Sequence, residues 1–400
     1  MHSQLALGWS ALAALALACS SDAQNGSGGA AGAGGAGSSS AMSGGTSPTS
    51  GGMALSAGAS AVGGPGAGRG GNGGTPTNGP SPGGSTSGGA INVGGAPIGD
   101  SGMGGVGSGG SGADGGSPDA GDPDILVPAT GALIGQYYGD ASIAATGQKL
   151  GRTLPLHLTY YAWSDDWTRD NTAADLKAGR VPFVNWELYE GGDLAQIIAG
   201  DFDDMLEERA TDAKALGKKL FLDLGAEMNG DWSPWSGAQN GESSAQFIAM
   251  FRHVHDKLKS ADNIVWVWCP NVTDEPNEDW NQALSYYPGD DYVDWTCVDG
   301  YNWGSSGDGW QSFQTVFKNI YPKLAAKNKP IMIGEMASAE VGGDKAAWIA
   351  QIIPTLKTSF PLIKGLVWFD VDKETDWRIS SSTASEAAFK KMVNDPYFNP

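Results

Sequence analysis

The chain has 400 residues with 44 acidic against 24 basic side chains, and its formal charge of −20 argues against nucleic acid as a partner. Of its 62 glycines, 38 fall between Ser20 and Asp122 among Ser, Ala, Pro and Thr, a composition that buries too little apolar surface to offset chain entropy. A core must therefore come from the remaining 275 or so residues, which hold 14 of the 15 tryptophans and match one barrel domain in size.

Residues 1–19 read as an export signal. Leu5 to Ala18 is an apolar run too short to cross a membrane, and Cys19 after Ala18 resembles a bacterial lipoprotein processing site. The segment before that run has no Lys or Arg and Leu17 is bulky, so an ordinarily cleaved or uncleaved signal stands beside acylation of Cys19. Residues 20–122 are expected to be a flexible Gly/Ser/Ala/Pro-rich linker. The protein is thus expected to be secreted or lipid-anchored at a bacterial envelope, meeting a membrane only through Cys19.

From 123 to 400, short β-rich runs alternate with helical patterns, the signature of parallel βαβ units. The runs are Leu133 to Tyr137, His157 to Ala162, Val181 to Trp186, Lys219 to Ala226, Ile264 to Cys269, Trp295 to Gly300, Pro330 to Gly334 and Gly365 to Phe369. Several are apolar at nearly every position, as strands covered on both faces should be. Amphipathic segments Phe202 to Leu216, Ser244 to Lys259, Trp310 to Lys327 and Asp344 to Leu356 separate them. Phe247, Met250, Phe251, Val254 and Leu258 recur at three- and four-residue steps and form one apolar stripe. The pattern predicts an α/β (β/α)8 TIM barrel, with an open doubly wound sheet as the alternative. No Gly-rich phosphate loop follows any run, which disfavours a nucleotide.

Two of the runs end in a glutamate. The fourth leads into Glu227, followed by Asn229 and by Trp232 and Trp235, which would place an amide and flat aromatic faces beside a carboxylate. The seventh ends Ile331-Met332-Ile333-Gly334 and runs into Glu335, where Gly334 permits close approach. Two carboxylates at the mouth of one barrel suit glycoside hydrolysis. One protonates the leaving oxygen, the other attacks the anomeric carbon, and retention needs the pair about 5 Å apart.

Glu-Met-Asn-Gly with Trp-Ser-Pro-Trp, then Asp-Gly-Tyr-Asn-Trp, Gly-Glu-Met-Ala and Val-Trp-Phe-Asp resemble glycoside hydrolase family 26, over Ile134 to about Trp377. That family includes endo-β-mannanases, mixed-linkage β-glucanases and β-1,3-xylanases. The resemblance implies Glu227 as acid/base, Glu335 as nucleophile, Tyr301 as the tyrosine that orients the nucleophile, and Trp368 as the aromatic floor under the cleaved sugar. It implies a retaining endo-hydrolase of β-linked polysaccharide, with mannan or glucomannan ahead of the other two backbones. Family members commonly carry Arg and His-Glu where this chain has Asp223 and Ala226-Glu227. Glu227 must then obtain a raised pKa from other neighbours, with Trp232 as an expected wall. The alternative of another class is a carbohydrate-binding surface protein that kept the cleft and lost the chemistry.

Asn229, Trp232, Trp235, Trp268, Trp303, Tyr160 and Trp163 are further expected sugar contacts, since indole faces stack on pyranoses. Gln136, Asn185, Glu187, Asn271 and Asp299 are strand-end groups suited either to hydroxyls or to rim hydrogen bonds. Cys269 and Cys297 could form a disulfide in an exported protein or remain two buried small hydrophobes. His253 and His255 lie two apart on a helix and face apart, so no metal is expected, nor any cofactor. A monomer acting on polysaccharide is expected.

Overall fold

In the computed structural model, residues 122–398 apart from 308 are described, and the expected signal, Cys19 and the linker through 121 lie outside them. Eight parallel strands close into a barrel in chain order. They are β1 (Leu133–Tyr137), β2 (Leu156–Tyr161), β3 (Val181–Trp186), β4 (Leu220–Leu224), β5 (Ile264–Trp268), β6 (Trp295–Asn302), β7 (Ile331–Ser338) and β8 (Ile363–Phe369). Closure is made by β1 against β8, in register from Leu133↔Gly365 to Tyr137↔Phe369.

Strand alternation divides the core into two layers. Leu158, Phe183, Phe221, Val265, Val267, Trp295, Met332 and Val367 fill the barrel interior. The intervening Val184, Leu222, Trp266, Trp268, Ile333, Leu366 and Trp368 face outward to the helices. The stripe on Ala245–Leu258 is buried in that outer layer, with Phe247, Met250, Phe251, Val254 and Leu258 all covered. Asp122, expected in the linker, instead pairs with Val127 (N–H···O 3.0 and 2.7 Å). Just inside that pairing, Ile125 O accepts from Trp295 Nε1 at 2.6 Å.

Two expected long helices are broken. Trp310 to Lys327 becomes Phe313–Phe317 and Tyr321–Ala325, and Asp344 to Leu356 becomes Lys345–Ala350 and Ile352–Thr358. Each second piece carries a proline in its first turn, Pro322 and Pro354. A proline there supplies no N–H to a preceding turn and is tolerated where a helix restarts. Among the described residues, no helix is long and apolar enough to cross a membrane.

Candidate active site

The C-terminal rim of the barrel opens into a cleft lined by Glu227 and Glu335 together with residues from β2, β3, β6 and the loop after β8. Strand irregularities aim the second carboxyl. β7 runs on to Ser338, so Glu335 lies within it, and register shifts occur at Val298/Asp299 and again between Ile333 and Met336. Gly334 is required beneath it: a β-carbon there would sit 2.7 Å from Cys297 Sγ and 2.8 Å from Asp299 Oδ1.

Glu227 stands three residues beyond β4 with φ 56°, after Gly225 at φ 63°. A non-glycine residue in the left-handed region costs roughly 1–2 kcal/mol. The turn is held by Glu227 N–H donating to Cys269 O at 2.8 Å and Gly230 N–H donating to Glu227 O at 2.9 Å.

The two carboxyls receive different donors. Asn271 Nδ2 donates to Glu227 Oε1 at 2.6 Å and Trp232 Nε1 to Oε2 at 2.9 Å. Tyr160 donates to Glu335 Oε1, and Tyr301 Oη donates to Oε2 at 2.5 Å. Burial, then repulsion from Glu335, pushes Glu227 up to about 7 against the two hydrogen bonds it accepts. Trp232 thus lowers the pKa of Glu227 through its N–H, whereas an apolar wall would raise it. Burial also raises Glu335, and the two phenol donors and Lys373 pull it back toward its carboxylate form.

Several expected contacts are corrected by strand phase. Trp368 is fully buried on the outer face of β8, against Trp348 and Phe389, and donates to Trp377 O at 3.0 Å. The aromatic groups lining the cleft from this part of the chain are the next residue, Phe369, and Trp377. Trp268 likewise faces outward onto Tyr287. Trp163 is stacked on Trp186 at 4.6 Å and buried. Asn229 offers no free amide: its Nδ2 donates to Asn271 O and Asp274 Oδ1, and its Oδ1 accepts from Asn271 N–H at 2.8 Å. It holds Asn271, which in turn donates to Glu227. Trp232, Trp235, Trp303, Tyr160 and Tyr301 do line the cleft. Cys269 and Cys297 are joined, S–S 2.23 Å, inside the barrel.

The model of glycosyl hydrolase family 26 matches residues 196–398, slightly more than half of the chain. The chain belongs to glycosyl hydrolase family 26. Endoglucanase H of Acetivibrio thermocellus is 38% identical over 279 residues, covering 68% of this chain and 31% of that protein. A mannan endo-1,4-β-mannosidase of Bacillus subtilis is 24% identical over 172 residues, covering 41% of each. The family 26 chain therefore spans well under half the length of these two relatives. A family 26 β-mannanase from Bacteroides ovatus has the same fold, with a TM-score of 0.51 at 16% identity over 67% of this chain and 90% of that one.

Within this family 26 site, the sequence had pointed only generally to Asn271 and Glu187, as strand-end polar groups. It had not pointed to Tyr189, Phe369, Lys373, Glu374 or Trp377, all of which line the cleft. Lys373 is the sole basic residue in that lining, paired with Glu374 at 3.4 Å. Ala226 lines the cleft with only a methyl. Asp223 is buried in the barrel, where burial and then Glu335, Glu187 and Glu227 push its carboxyl well up.

Proposed function

We propose that this chain is a retaining endo-β-glycoside hydrolase that cleaves a polysaccharide backbone by double displacement. The observation that carries the reading is the unequal pair in one cleft: Glu227 raised to about 7, and Glu335 whose carboxylate form is favoured by two tyrosine donors against the opposing effect of burial. Glu227 donates its proton to the glycosidic oxygen while the Glu335 carboxylate attacks the anomeric carbon; the C–O bond breaks and the leaving sugar departs with that proton. In the second step the Glu227 carboxylate takes a proton from water, the water oxygen attacks the anomeric carbon, and Glu335 is released as carboxylate. Trp232, Trp303 and Phe369 supply apolar faces for the sugar rings.

For the backbone, the mannan-first order gives way to β-glucan first and mannan or glucomannan second. The support is the higher identity to a protein named endoglucanase, 38% against 24% for the mannosidase. Release of reducing ends from mixed-linkage β-glucan, glucomannan, mannan and β-1,3-xylan tests both levels. The wild-type protein is expected to cut at least one, with β-glucan fastest, and Glu227→Gln and Glu335→Gln to lose several orders of magnitude in turnover while remaining folded. Undiminished hydrolysis by both variants would remove the pair from the chemistry. Binding without any hydrolysis by the wild type would leave a carbohydrate-binding protein instead.

A further inference from the structure

Four carboxyls line the cleft: Glu187, Glu227, Glu335 and Glu374. Three are occupied by protein groups. Glu227 accepts from Asn271 and Trp232, Glu335 from Tyr160 and Tyr301, and Glu374 accepts from Trp377 Nε1 at 2.9 Å and pairs with Lys373. Glu187 differs. Its backbone N–H is fixed on Tyr161 O at 2.9 Å, immediately beyond β3, yet among the described residues no hydrogen-bond partner reaches its side-chain oxygens. Nor is Glu187 the ion-pair partner of the cleft lysine, which is engaged by Glu374. A half-buried carboxyl without a protein partner, on the wall of a site for polyhydroxylated ligands, leaves its hydrogen-bonding capacity for the ligand.

Resting on the hydrolase reading, we infer that Glu187 is a substrate ligand whose carboxyl hydrogen-bonds a hydroxyl of the sugar held between Glu227 and Glu335, and so contributes to backbone discrimination. The groups around it decide its form. Burial first, then Glu335, raises it to about 8; Lys373 opposes and Glu227 adds to the rise. Asp223 and Tyr189 also feel its charge. Burial and the neighbouring carboxylates favour its neutral form, whose O–H can donate to a sugar hydroxyl; in its ionised form the same carboxyl accepts from one. The protonated form also spares Glu335 a further adjacent negative charge, which would oppose ionisation of the nucleophile.

The test compares wild type, Glu187→Gln and Glu187→Ala on mixed-linkage β-glucan and on glucomannan, with kcat and KM measured from pH 5 to 9 and thermal midpoints recorded alongside. The alanine variant is expected to raise KM about tenfold on the better polymer with kcat within about threefold, the loss of one neutral hydrogen bond. The glutamine variant keeps a hydrogen-bonding side chain of the same size, so it is expected to recover most of the KM lost in the alanine variant. Should the alanine variant not fold, Glu187→Leu, which keeps the bulk and removes both oxygens, takes its place with the same expected rise in KM. Unchanged KM in the alanine or leucine variant on both polymers overturns the inference. If the wild type hydrolyses neither polymer, the hydrolase reading fails separately. Calorimetric titration of oligosaccharides from the same two polymers then reads Glu187: a tenfold weaker alanine variant supports its role, and equal affinities or no binding overturn it.

Discussion

Glu335 is surrounded by hydroxyl donors and Glu227 by nitrogen donors, and under the proposed double displacement that difference divides the work between nucleophile and acid. Both phenols that donate to Glu335 hydrogen-bond its charged form, so removing one destabilises the carboxylate. Tyr160→Phe and Tyr301→Phe should each raise the pKa of Glu335. The acidic limb of kcat/KM, where the nucleophile must lose its proton, then moves to higher pH, and turnover falls about tenfold or more. The alkaline limb, where Glu227 must still hold its proton, stays near 7 in both variants. Full pH–rate profiles of the two variants check this; an alkaline limb that moves while the acidic one stays would reverse the assignment of the two glutamates.

At the scale of elements, the loop after β8 is what turns a barrel mouth into a cleft, because it brings Lys373, Glu374 and Trp377 to the site. Lys345 holds it. This lysine is almost fully buried, and its Nζ donates to Asp376 O at 3.2 Å, Arg378 O at 2.7 Å and Ser381 Oγ at 2.9 Å. Burial lowers it to about 8, so the ammonium that serves all three acceptors is lost as pH rises through that value. Lys345→Met leaves those acceptors unsatisfied, at about 1–3 kcal/mol each before any apolar gain. Calorimetry should show a thermal midpoint lower by about 5–10 °C, with KM raised more than kcat is lowered. An unchanged midpoint would mean that the loop is held by other contacts.

These elements also show what a sequence carries. The eight strands could be placed from apolar runs, and Glu227, Glu335, Tyr160, Tyr301 and Trp232 from their positions at strand ends. The phase of alternation at a strand end could not, and one step separates Trp368, packed outward, from Phe369, which lines the cleft. Lys373 and Trp377 had no local signature at all, since their place depends on a loop anchored by a lysine some thirty residues earlier. The helix breaks at Pro322 and Pro354 were written in the sequence but lay within otherwise continuous apolar stripes.

Across the whole molecule, the two ends of the barrel differ. One end meets the segment around Ile125, which accepts from Trp295, while the C-terminal rim gathers four carboxyls around one lysine. Such a rim would be destabilising in a merely structural barrel, because buried like charges raise one another's pKa. In a double-displacement site it is useful, because one carboxyl must be an acid while its neighbour is a base. In the proposed double displacement Glu335 becomes covalently attached to sugar. The direct measurement is peptide mass spectrometry of the protein after incubation with a 2-deoxy-2-fluoro β-glycoside carrying a good leaving group, built on the sugar of the best substrate. One glycosyl unit per chain on the peptide containing Glu335 is predicted. Attachment to Glu227 or elsewhere, or first-formed products of inverted anomeric configuration, would contradict the account.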